Sequence, residues 1–256
     1  MDNRAVGIFD TGFGGLTGLA AFRELMPEED IIYFGDTKRC PYGGRTPDEI
    51  RSMTGDILSF FDGFDIKVLL AACGTISVNC RDIFAEHHIP VLNVLDPTLE
   101  KMRKTDGKVC VIATQASINS GAFMIPGMDI VPVACPDFVT LIESGHMSKE
   151  DPKVAAAVEK YLGGHMDISA IVLGCTHFGI ISEAISSFLG DGVEIIEASR
   201  CAAENLRDYV LGNGISGGEG NTAFYTSGDT VLFDETAERI LNATRCGYKP
   251  ALSARI

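Results

Sequence analysis

The chain has 256 residues, of which 46% are hydrophobic and 22% are charged, as is ordinary for a globular protein of one large domain or two modest ones. Its formal net charge of −14, without a basic cluster, argues against nucleic acids and anionic membranes as partners. No apolar run has the length of a transmembrane helix and no signal-peptide pattern opens the chain, so we expect a cytoplasmic protein.

The eight cysteines should be mostly reduced in the cytoplasm. They form no Cys-x-x-Cys pair, so the spacing supports neither a zinc ribbon nor a thioredoxin-type site. Cys40 lies in a polar loop, whereas Cys73 and Cys175 each follow an apolar run that predicts a buried strand. The others are most simply small buried side chains: Cys80, Cys110, Cys135, Cys201 and Cys246.

Apolar runs of strand length alternate with helical stretches along the whole chain. The predicted strands are residues 5–9, 30–35, 68–72, 89–94, 108–113, 129–133, 170–173, 193–197 and 222–226. The predicted helices span residues 46–61, 76–87, 136–143, 152–162 and 199–211; others end near residues 25 and 189 or begin near residues 96 and 229. This alternation predicts an α/β fold with mostly parallel sheets, and similar strand ends in both halves predict two pseudo-symmetric domains with the active site in the cleft between them.

A glycine-rich turn at residues 12–15 follows the first predicted strand and could bring backbone N–H groups to an anion. Its spacing matches neither a dinucleotide fingerprint nor a Walker loop closely, so it indicates a nucleotide only weakly. Asp10, at the end of the strand, is either the N-cap of the next helix or a polar group that faces a ligand. The turn by itself favours the cap.

The segment 36–45 is dense in turn residues. Within it, Pro41-Tyr42-Gly43 could present backbone donors to a ligand, with Tyr42 closing a pocket, or could form an ordinary surface turn. Thr46, the proline that follows it and Glu49 have the pattern of a capping box, which predicts the start of a helix.

Cys73 and Cys175 occur in matching contexts, each where a parallel strand gives way to a helix, which is the edge of an α/β sheet at which ligands bind. A thiol at a helix N-terminus is expected to have a lowered pKa. Two such thiols on opposite walls of a cleft could act as paired bases. One would remove a proton from a carbon and the other would protonate the opposite face, which inverts a stereocentre without a cofactor.

Other thiol chemistries fit less well. A Cys-based phosphatase would need Cys-x5-Arg, but Asn79 and Ile181 occupy those positions. A Cys–His hydrolase that uses His177 stays open, although no third member is evident. Zinc held by Cys73, Cys175 and His177 is conceivable, but a Cys and a His two residues apart on a tight turn form a poor ligand pair. The simplest alternative is that both thiols are core cysteines.

Motifs that are specific only when taken together are spread over the chain: Gly7-Ile8-Phe9-Asp10-Thr11-Gly12-Phe13-Gly14-Gly15, Tyr33-Phe34-Gly35-Asp36-Thr37, Pro41-Tyr42-Gly43, Ala72-Cys73-Gly74-Thr75, Ala113-Thr114, Cys135-Pro136 and Leu173-Gly174-Cys175-Thr176-His177. Through these motifs the chain resembles the glutamate racemases of the aspartate/glutamate racemase superfamily.

The resemblance implies cofactor-independent interconversion of L- and D-glutamate, with Cys73 and Cys175 as the two bases and no metal. Asp10 and Thr11 match an Asp-Ser pair that contacts the substrate amino group. The Pro41-Tyr42-Gly43 loop matches one that holds a carboxylate by backbone donors. Further positions match residues that contact the substrate, tune a thiol or lie near the site: Gly74, Thr75, Thr176 and His177, with Thr114 and Glu143 behind them.

The resemblance also implies a role in supplying D-glutamate for peptidoglycan, and thus in cell-wall biogenesis and cell shape, and it implies a homodimer. It further implies that the first domain is discontinuous, with residues 1–95 plus 206–256, and that residues 96–205 form the second domain.

The chain departs from the usual family pattern at three places. Gly74 stands where the family usually has Asn, Phe178-Gly179 where it commonly has Tyr-Pro, and Glu197-Ala198 where it has Asp-Ser. Loss of the Asn amide would cost about 1–3 kcal/mol if its partner stayed buried. A racemase of another small amino acid, such as aspartate, or an amino-acid-binding protein without turnover is therefore the alternative.

Overall fold

A computed structural model describes residues 2–244 and 254–255. Its strands are β1 Ala5–Asp10, β2 Ile31–Gly35, β3 Ile66–Ala71, β4 Val91–Asn93, β5 Lys108–Ala113, β6 Asp129–Ala134, β7 Ala170–Leu173, β8 Glu194–Glu197, β9 Thr222–Thr226 and β10 Ala254–Arg255. Its α-helices are α1 Gly15–Leu25, α2 Pro47–Phe61, α3 Gly74–Asn79, α4 Arg81–Glu86, α5 Leu95–Met102, α6 Gln115–Asn119, α7 Pro136–Glu143, α8 Pro152–Leu162, α9 Ser182–Leu189, α10 Ala198–Gly212 and α11 Thr230–Ala243, and a 3-10 helix spans Thr176–Ile181.

The described strands form two sheets, and every strand pairing in both sheets is parallel. The first sheet has the order β10-β9-β2-β1-β3-β4 and the second has the order β6-β5-β7-β8. The predicted α/β class with two parallel-sheet units is confirmed. In the part of the chain that the structure describes, no helix is long and apolar enough to cross a membrane.

Each sheet is covered on both faces, which explains why its central strands are apolar throughout. Along β1 and β3, Ile8 and Leu70 pack with α1, α10 and α11 on one face, whereas Phe9 and Leu69 pack with α2 on the other. This alternation follows the two-residue period of a strand. The second sheet is likewise buried between two apolar clusters.

Two helix starts that the sequence predicts, near residues 46 and 229, are confirmed. Thr46 Oγ1 accepts the Glu49 N–H at 3.3 Å, and Glu49 Oε2 accepts the Thr46 N–H at 2.9 Å, so the predicted capping box begins α2. Asp229 caps α11 by accepting the Leu232 N–H at 2.9 Å. These local bonds satisfy N–H groups that a helix cannot pair internally.

The predicted helix 76–87 is wrong, because the structure has two short helices, α3 and α4, that meet at Cys80. The Asn79 side chain donates to the Thr75 carbonyl at 2.8 Å at the last residue of α3. Cys80 is fully buried with its Sγ 3.4 Å from Thr54 Oγ1 on α2. This tertiary contact holds the thiol inward and breaks the helical path.

Other differences from the sequence expectations are smaller. The helix predicted to follow Cys175 is a 3-10 helix that continues into α9, and neither α6 nor β10 was expected. Cys80, Cys110 and Cys135 are buried as expected, but Cys201 is only half-buried because it lies on the partly exposed side of α10. The predicted burial of Cys246 lies outside the described residues.

The two sheets meet at the carboxyl ends of their strands. In the first sheet these are the ends of β1, β2 and β3, and in the second the ends of β5, β6 and β7. A polar contact joins the two units beside this edge. Thr17 on α1 has its Oγ1 3.0 Å from the Thr176 carbonyl and 2.6 Å from Ser199 Oγ on α10. The chain segments that follow the strand ends therefore enclose a shared cleft.

Candidate active site

Cys73 and Cys175 line the same cavity in this cleft, which has a volume of about 300 Å³. Cys73 follows β3 and is the N-cap of α3, whereas Cys175 follows β7 and precedes the 3-10 helix. Both are almost fully buried, with 6% and 7% of their surface exposed. The structure thus brings together the two thiols that the sequence places at equivalent strand ends.

Most of the other residues singled out from the sequence line this cavity as well: Asp10, Thr11, Pro41, Tyr42, Gly43, Gly74, Thr75, Thr114, Thr176 and His177. Glu143 is outside the cavity lining and contacts His177 from behind. Sequence reasoning missed a further set of lining residues: Cys40, Gly44, Gln115, Ser117, Pro136, Val139, Thr140 and Gly174. Their position in the sequence could have identified them, because most of them follow the predicted strands that end near residues 35, 113 and 133.

Two glycines, Gly74 and Gly174, lie in contact where the two units meet. A Cβ atom on Gly74 would lie 2.5 Å from the Gly174 carbonyl oxygen, a distance that real Cβ atoms essentially never show. Gly174, which precedes Cys175, therefore packs directly against Gly74, which follows Cys73, with no side chain between the two backbones. A side chain at position 74 would therefore require one of the two backbone segments to shift.

Asp10 is not the helix N-cap that the turn favoured. The N-cap of α1 is Gly14, without a side-chain cap bond, and the Asp10 Oδ1 accepts the Gly12 N–H at 2.7 Å instead. Its Oδ2 has no hydrogen-bond partner among the described residues, and burial raises the pKa of Asp10. A buried oxygen left unpaired costs about 1–3 kcal/mol. The site therefore suits a ligand that donates a hydrogen bond or carries positive charge.

The lowered pKa expected for the Cys73 thiol is wrong. Burial, together with the nearby Asp10 carboxyl, raises the pKa of Cys73 well above its ordinary value. The Ile76 N–H and the Thr11 hydroxyl, whose Oγ1 lies 3.8 Å from Cys73 Sγ, oppose this shift only in part. α3 has six residues, so its dipole offers little compensation for desolvation. Cys73 is a neutral thiol at neutral pH and can give a proton.

Cys175 has a different environment, because His177 lies beside it. His177 Nδ1 is 3.8 Å from Cys175 Sγ, and its Nε2 is 3.0 Å from Glu143 Oε1 at the end of α7. Burial by itself would lower the pKa of His177, but the hydrogen bonds to Cys175 and Glu143 outweigh it and raise the pKa to about 10. A protonated imidazole beside Cys175 Sγ favours negative charge there. The two walls of the cavity are therefore electrostatically unlike.

Glu143 also supplies the acid member that a Cys–His hydrolase would need, which the sequence did not reveal. The Cys175–His177–Glu143 line by itself is compatible with hydrolysis or with proton transfer. The second thiol, Cys73, follows a strand of the other sheet and lines the same cavity, and a hydrolase has no use for it. For zinc, the ligand atoms of Cys73, Cys175 and His177 do not form a group within 4.8 Å of one another in the described chain.

Asp36 holds the loop that carries Tyr42, and the sequence analysis did not single it out for this role. The Tyr42 hydroxyl donates to Asp36 Oδ2, Arg39 Nε lies 2.5 Å from the same oxygen, and Ser227 Oγ donates to Oδ1 at 2.6 Å. Asp36 is fully buried and follows β2 as Asp10 follows β1. This carboxylate fixes the Pro41–Gly43 loop against the first sheet.

Threonine hydroxyls bridge the cleft on its other side. Thr75 Oγ1, in the first turn of α3, is 3.1 Å from Oγ1 of Thr114, which directly follows β5 of the second sheet. Thr114 is in turn the N-cap of α6, where it accepts the Ser117 N–H at 3.3 Å. The N-terminus of α6 is thereby positioned at the cavity wall.

Two of the three departures from the family pattern lie outside this cavity. Phe178 is fully buried and packs edge-on against Phe138, with ring centroids 5.1 Å apart. A Cβ on Gly179 would lie 3.4 Å from Glu197 Oε2, and both residues line a separate cavity beside α1. Only Gly74 is in contact with the space between the thiols.

The family model for Asp/Glu/Hydantoin racemase matches residues 19–206, and the chain belongs to this family. This membership confirms the predicted enzyme class, an amino-acid racemase and hence an isomerase.

Individual relatives agree over nearly the whole chain. A protein named glutamate racemase 2 from Caldanaerobacter subterraneus subsp. tengcongensis is 35% identical over 254 residues, and the match covers 94% of each chain. The crystal structure of the Thermus thermophilus glutamate racemase in complex with beta-chloro-D-alanine has a TM-score of 0.90 at 32% identity, covering 100% of this chain and 98% of that one. The Francisella tularensis glutamate racemase in complex with D-glutamate has a TM-score of 0.89 at 31% identity, with the same coverage. The resemblance that the motifs predicted is confirmed.

Proposed function

We propose that this enzyme interconverts L- and D-glutamate by a two-base mechanism in which Cys73 and Cys175 act from opposite sides of the substrate. The observation that carries the proposal is the single cavity of about 300 Å³ lined by both thiols. The relatives of about 35% identity are named as glutamate racemases, and one related structure contains D-glutamate, which supports glutamate as the substrate.

Asp10 is the group suited to the substrate ammonium. Its buried Oδ2 has no partner in the described chain, and an ammonium would supply both a donor and a positive charge. Thr11, beside it, adds a hydroxyl. The Tyr42–Gly43 backbone and the N-terminus of α6 lie on other parts of the cavity wall and offer N–H groups to carboxylates. A net charge of −14 makes such local donors necessary for an acidic substrate.

The electrostatic difference between the walls favours one starting arrangement for the proton transfer. Protonated His177 lies beside Cys175 Sγ, where it would stabilise the negative charge of a base, whereas burial beside Asp10 raises the pKa of Cys73 and makes it the proton donor. The Cys175 thiolate takes the Cα proton, and the C–H electron pair becomes the carbanion. The Cys73 thiol then protonates the opposite face of Cα, which leaves Cys73 as the thiolate. The reverse reaction starts from that state, so each turnover moves one proton from one thiol to the other and needs no cofactor.

Exchange and inversion at Cα test the proposal directly. The purified protein is incubated in D2O with L-glutamate, with D-glutamate and with each aspartate enantiomer, while proton NMR follows loss of the Cα–H signal and circular dichroism follows inversion. We expect exchange with inversion on glutamate, and its loss in Cys73→Ala and in Cys175→Ala. Cys201→Ala is the matched control, because this thiol is half-buried and does not line the cavity.

Other outcomes of the same experiment contradict the proposal in different ways. Exchange on aspartate alone would overturn the substrate but keep the thiols in their roles. Normal racemisation by both single-thiol variants would overturn the two-base mechanism. Binding without exchange on any of these amino acids would favour an amino-acid-binding protein.

The same resemblance supports a biological role. We infer that the enzyme acts in the cytoplasm as a homodimer and supplies D-glutamate for peptidoglycan, and thus serves cell-wall biogenesis and cell shape. Depletion of the enzyme in its own cells should produce a requirement for added D-glutamate, and sedimentation should give twice the chain mass.

The domain division is also a proposal. A first domain of residues 1–95 plus 206–256 accords with β9 and β10 pairing beside β2 in the first sheet, and a second of 96–205 accords with β5 to β8 forming the other sheet. Limited proteolysis should release fragments that end near residues 95 and 205.

A further inference from the structure

Asp62, His87 and His88 form a cluster of metal-ligating side chains away from the candidate active site. His87 Nε2 lies 3.1 Å from Asp62 Oδ1, and His88 Nε2 lies 3.7 Å from the same oxygen. The three ligand atoms are all within 4.8 Å of one another, and the described chain has no other such group. Ligands bound at 2.0–2.1 Å in a tetrahedral site are about 3.3 Å apart, so the observed spacings are close to those of a metal centre.

His87 is held in the orientation that a metal ligand needs. Its side chain is only 11% exposed, and its Nδ1 lies 3.1 Å from the Ile89 carbonyl oxygen, so that the Nδ1–H can donate to that carbonyl. The Ile89 N–H also lies 3.3 Å from His87 Nδ1 and can donate to it. Ile89 therefore holds the imidazole ring in place in either tautomer. A histidine that binds a metal through one nitrogen commonly donates its other N–H to a backbone carbonyl.

His88 completes the arrangement from the solvent side. Its ring lies next to that of His87, with centroids 4.7 Å apart and planes inclined by 40°, and both Nε2 atoms lie near the same Asp62 oxygen. The His88 side chain is 70% exposed, which leaves access for an ion. Without a metal, the exposed His88 side chain would lose conformational entropy for only a weak contact, the 3.7 Å approach of its Nε2 to Asp62 Oδ1.

We propose that Asp62, His87 and His88 bind one divalent transition-metal ion, with Zn²⁺ as the representative of the class. Two imidazole nitrogens and one carboxylate oxygen suit zinc and its neighbours, whereas magnesium and calcium prefer oxygen ligands throughout. The strongly negative chain attracts cations in general. The inference does not rest on the proposed function, because none of the three residues lines the cavity that contains the thiols.

The position of the cluster indicates a structural role. Asp62 is the C-cap of α2, and His87 is the C-cap of α4 just before the edge strand β4. A metal at this point would join the end of α2 to the segment that enters the edge of the first sheet. The ion is therefore expected to stabilise the folded chain and to leave the chemistry of the cleft unchanged.

The test uses Zn²⁺ alone as the probe and must exclude the active-site thiols, because any free thiol can take up zinc from solution. The reference is the full-length Cys73→Ala/Cys175→Ala chain, freed of metal by a chelator. Calorimetric titration should give one Zn²⁺ per chain, and saturating zinc should raise Tm by about 5 °C. His88→Ala, added to this background, should weaken binding at least tenfold and remove most of the rise.

Two further variants keep the result interpretable. Asp62→Asn should weaken zinc binding like His88→Ala, because it replaces the carboxylate that both imidazoles face. His165→Ala removes a histidine elsewhere and should bind zinc like the reference. Equal zinc affinity in the His88→Ala and His165→Ala chains would overturn the proposal, as would no binding by the reference. In the otherwise native chain, His88→Ala should racemise at the native rate.

Discussion

Gly74→Ala tests whether the contact between the two sheets sets the geometry of the thiols. The added Cβ would lie 2.5 Å from the Gly174 carbonyl oxygen, whereas ordinary contact begins at 3.4 Å. The two backbone segments would have to separate by roughly 0.9 Å, and they carry Cys73 and Cys175. A misplacement of about 1 Å can cost about 100-fold in rate, so we expect kcat/KM for racemisation to fall by about that factor.

Gly44→Ala is the matched control. Gly44 also lines the cavity, but an added Cβ there would meet no atom within 4 Å. Initial rates from circular dichroism in both directions, with Tm recorded for each variant, separate a loss of geometry from a loss of folded protein. A Gly74→Ala enzyme with the Tm of the wild type and a rate within threefold of it would refute the reasoning.

The same contact decides the outcome for Gly74→Asn. The family pattern suggested that restoring the amide would raise glutamate turnover if glycine were a simple loss. The structure favours a lower rate, because Asn brings the same Cβ as Ala together with a larger side chain. Gly74 lies at the contact between the two units, where an added side chain would force a backbone shift.

Two further predictions concern the groups around the thiols. Tyr42→Phe removes the hydroxyl that donates to Asp36, so it should lower the free energy of unfolding by about 1–2 kcal/mol and raise KM more than it lowers kcat. Denaturant titration and steady-state rates measure these changes, with Tyr209→Phe as the control. An unchanged KM in Tyr42→Phe would contradict the prediction. His177 has a pKa of about 10 when folded against an ordinary 6.5, so the folded chain holds a proton that the unfolded chain releases between these values. The free energy of unfolding should therefore fall as pH rises through this range, by at most about 1.4 kcal/mol per pH unit, and His177→Asn should flatten that fall in urea titrations; a variant with the native pH dependence would contradict the raised pKa.

Local patterns in the sequence were sufficient for most of the secondary structure and for finding the two thiols. The strands are apolar because both sheets are covered on both faces, and the Thr46 capping box and Asp229 mark helix starts by bonds that span three residues. Cys73 and Cys175 were recognisable because a strand that ends in a small residue and a thiol occurs in both halves. Interactions of this kind act over a few residues, so the sequence expresses them directly.

Contacts between distant segments were decided only by the tertiary structure. Glu143 reaches His177 across 34 positions, and Ser227 reaches Asp36 across 191, so neither pairing has a local signature. The raised pKa of Cys73 likewise follows from burial beside Asp10, which the position at a helix N-terminus does not indicate. Which charges are desolvated, and which glycines touch across the cleft, depends on how the two sheets pack. The sequence therefore determined the chemical groups of this racemase, and the packing of the sheets determined their distances and protonation states.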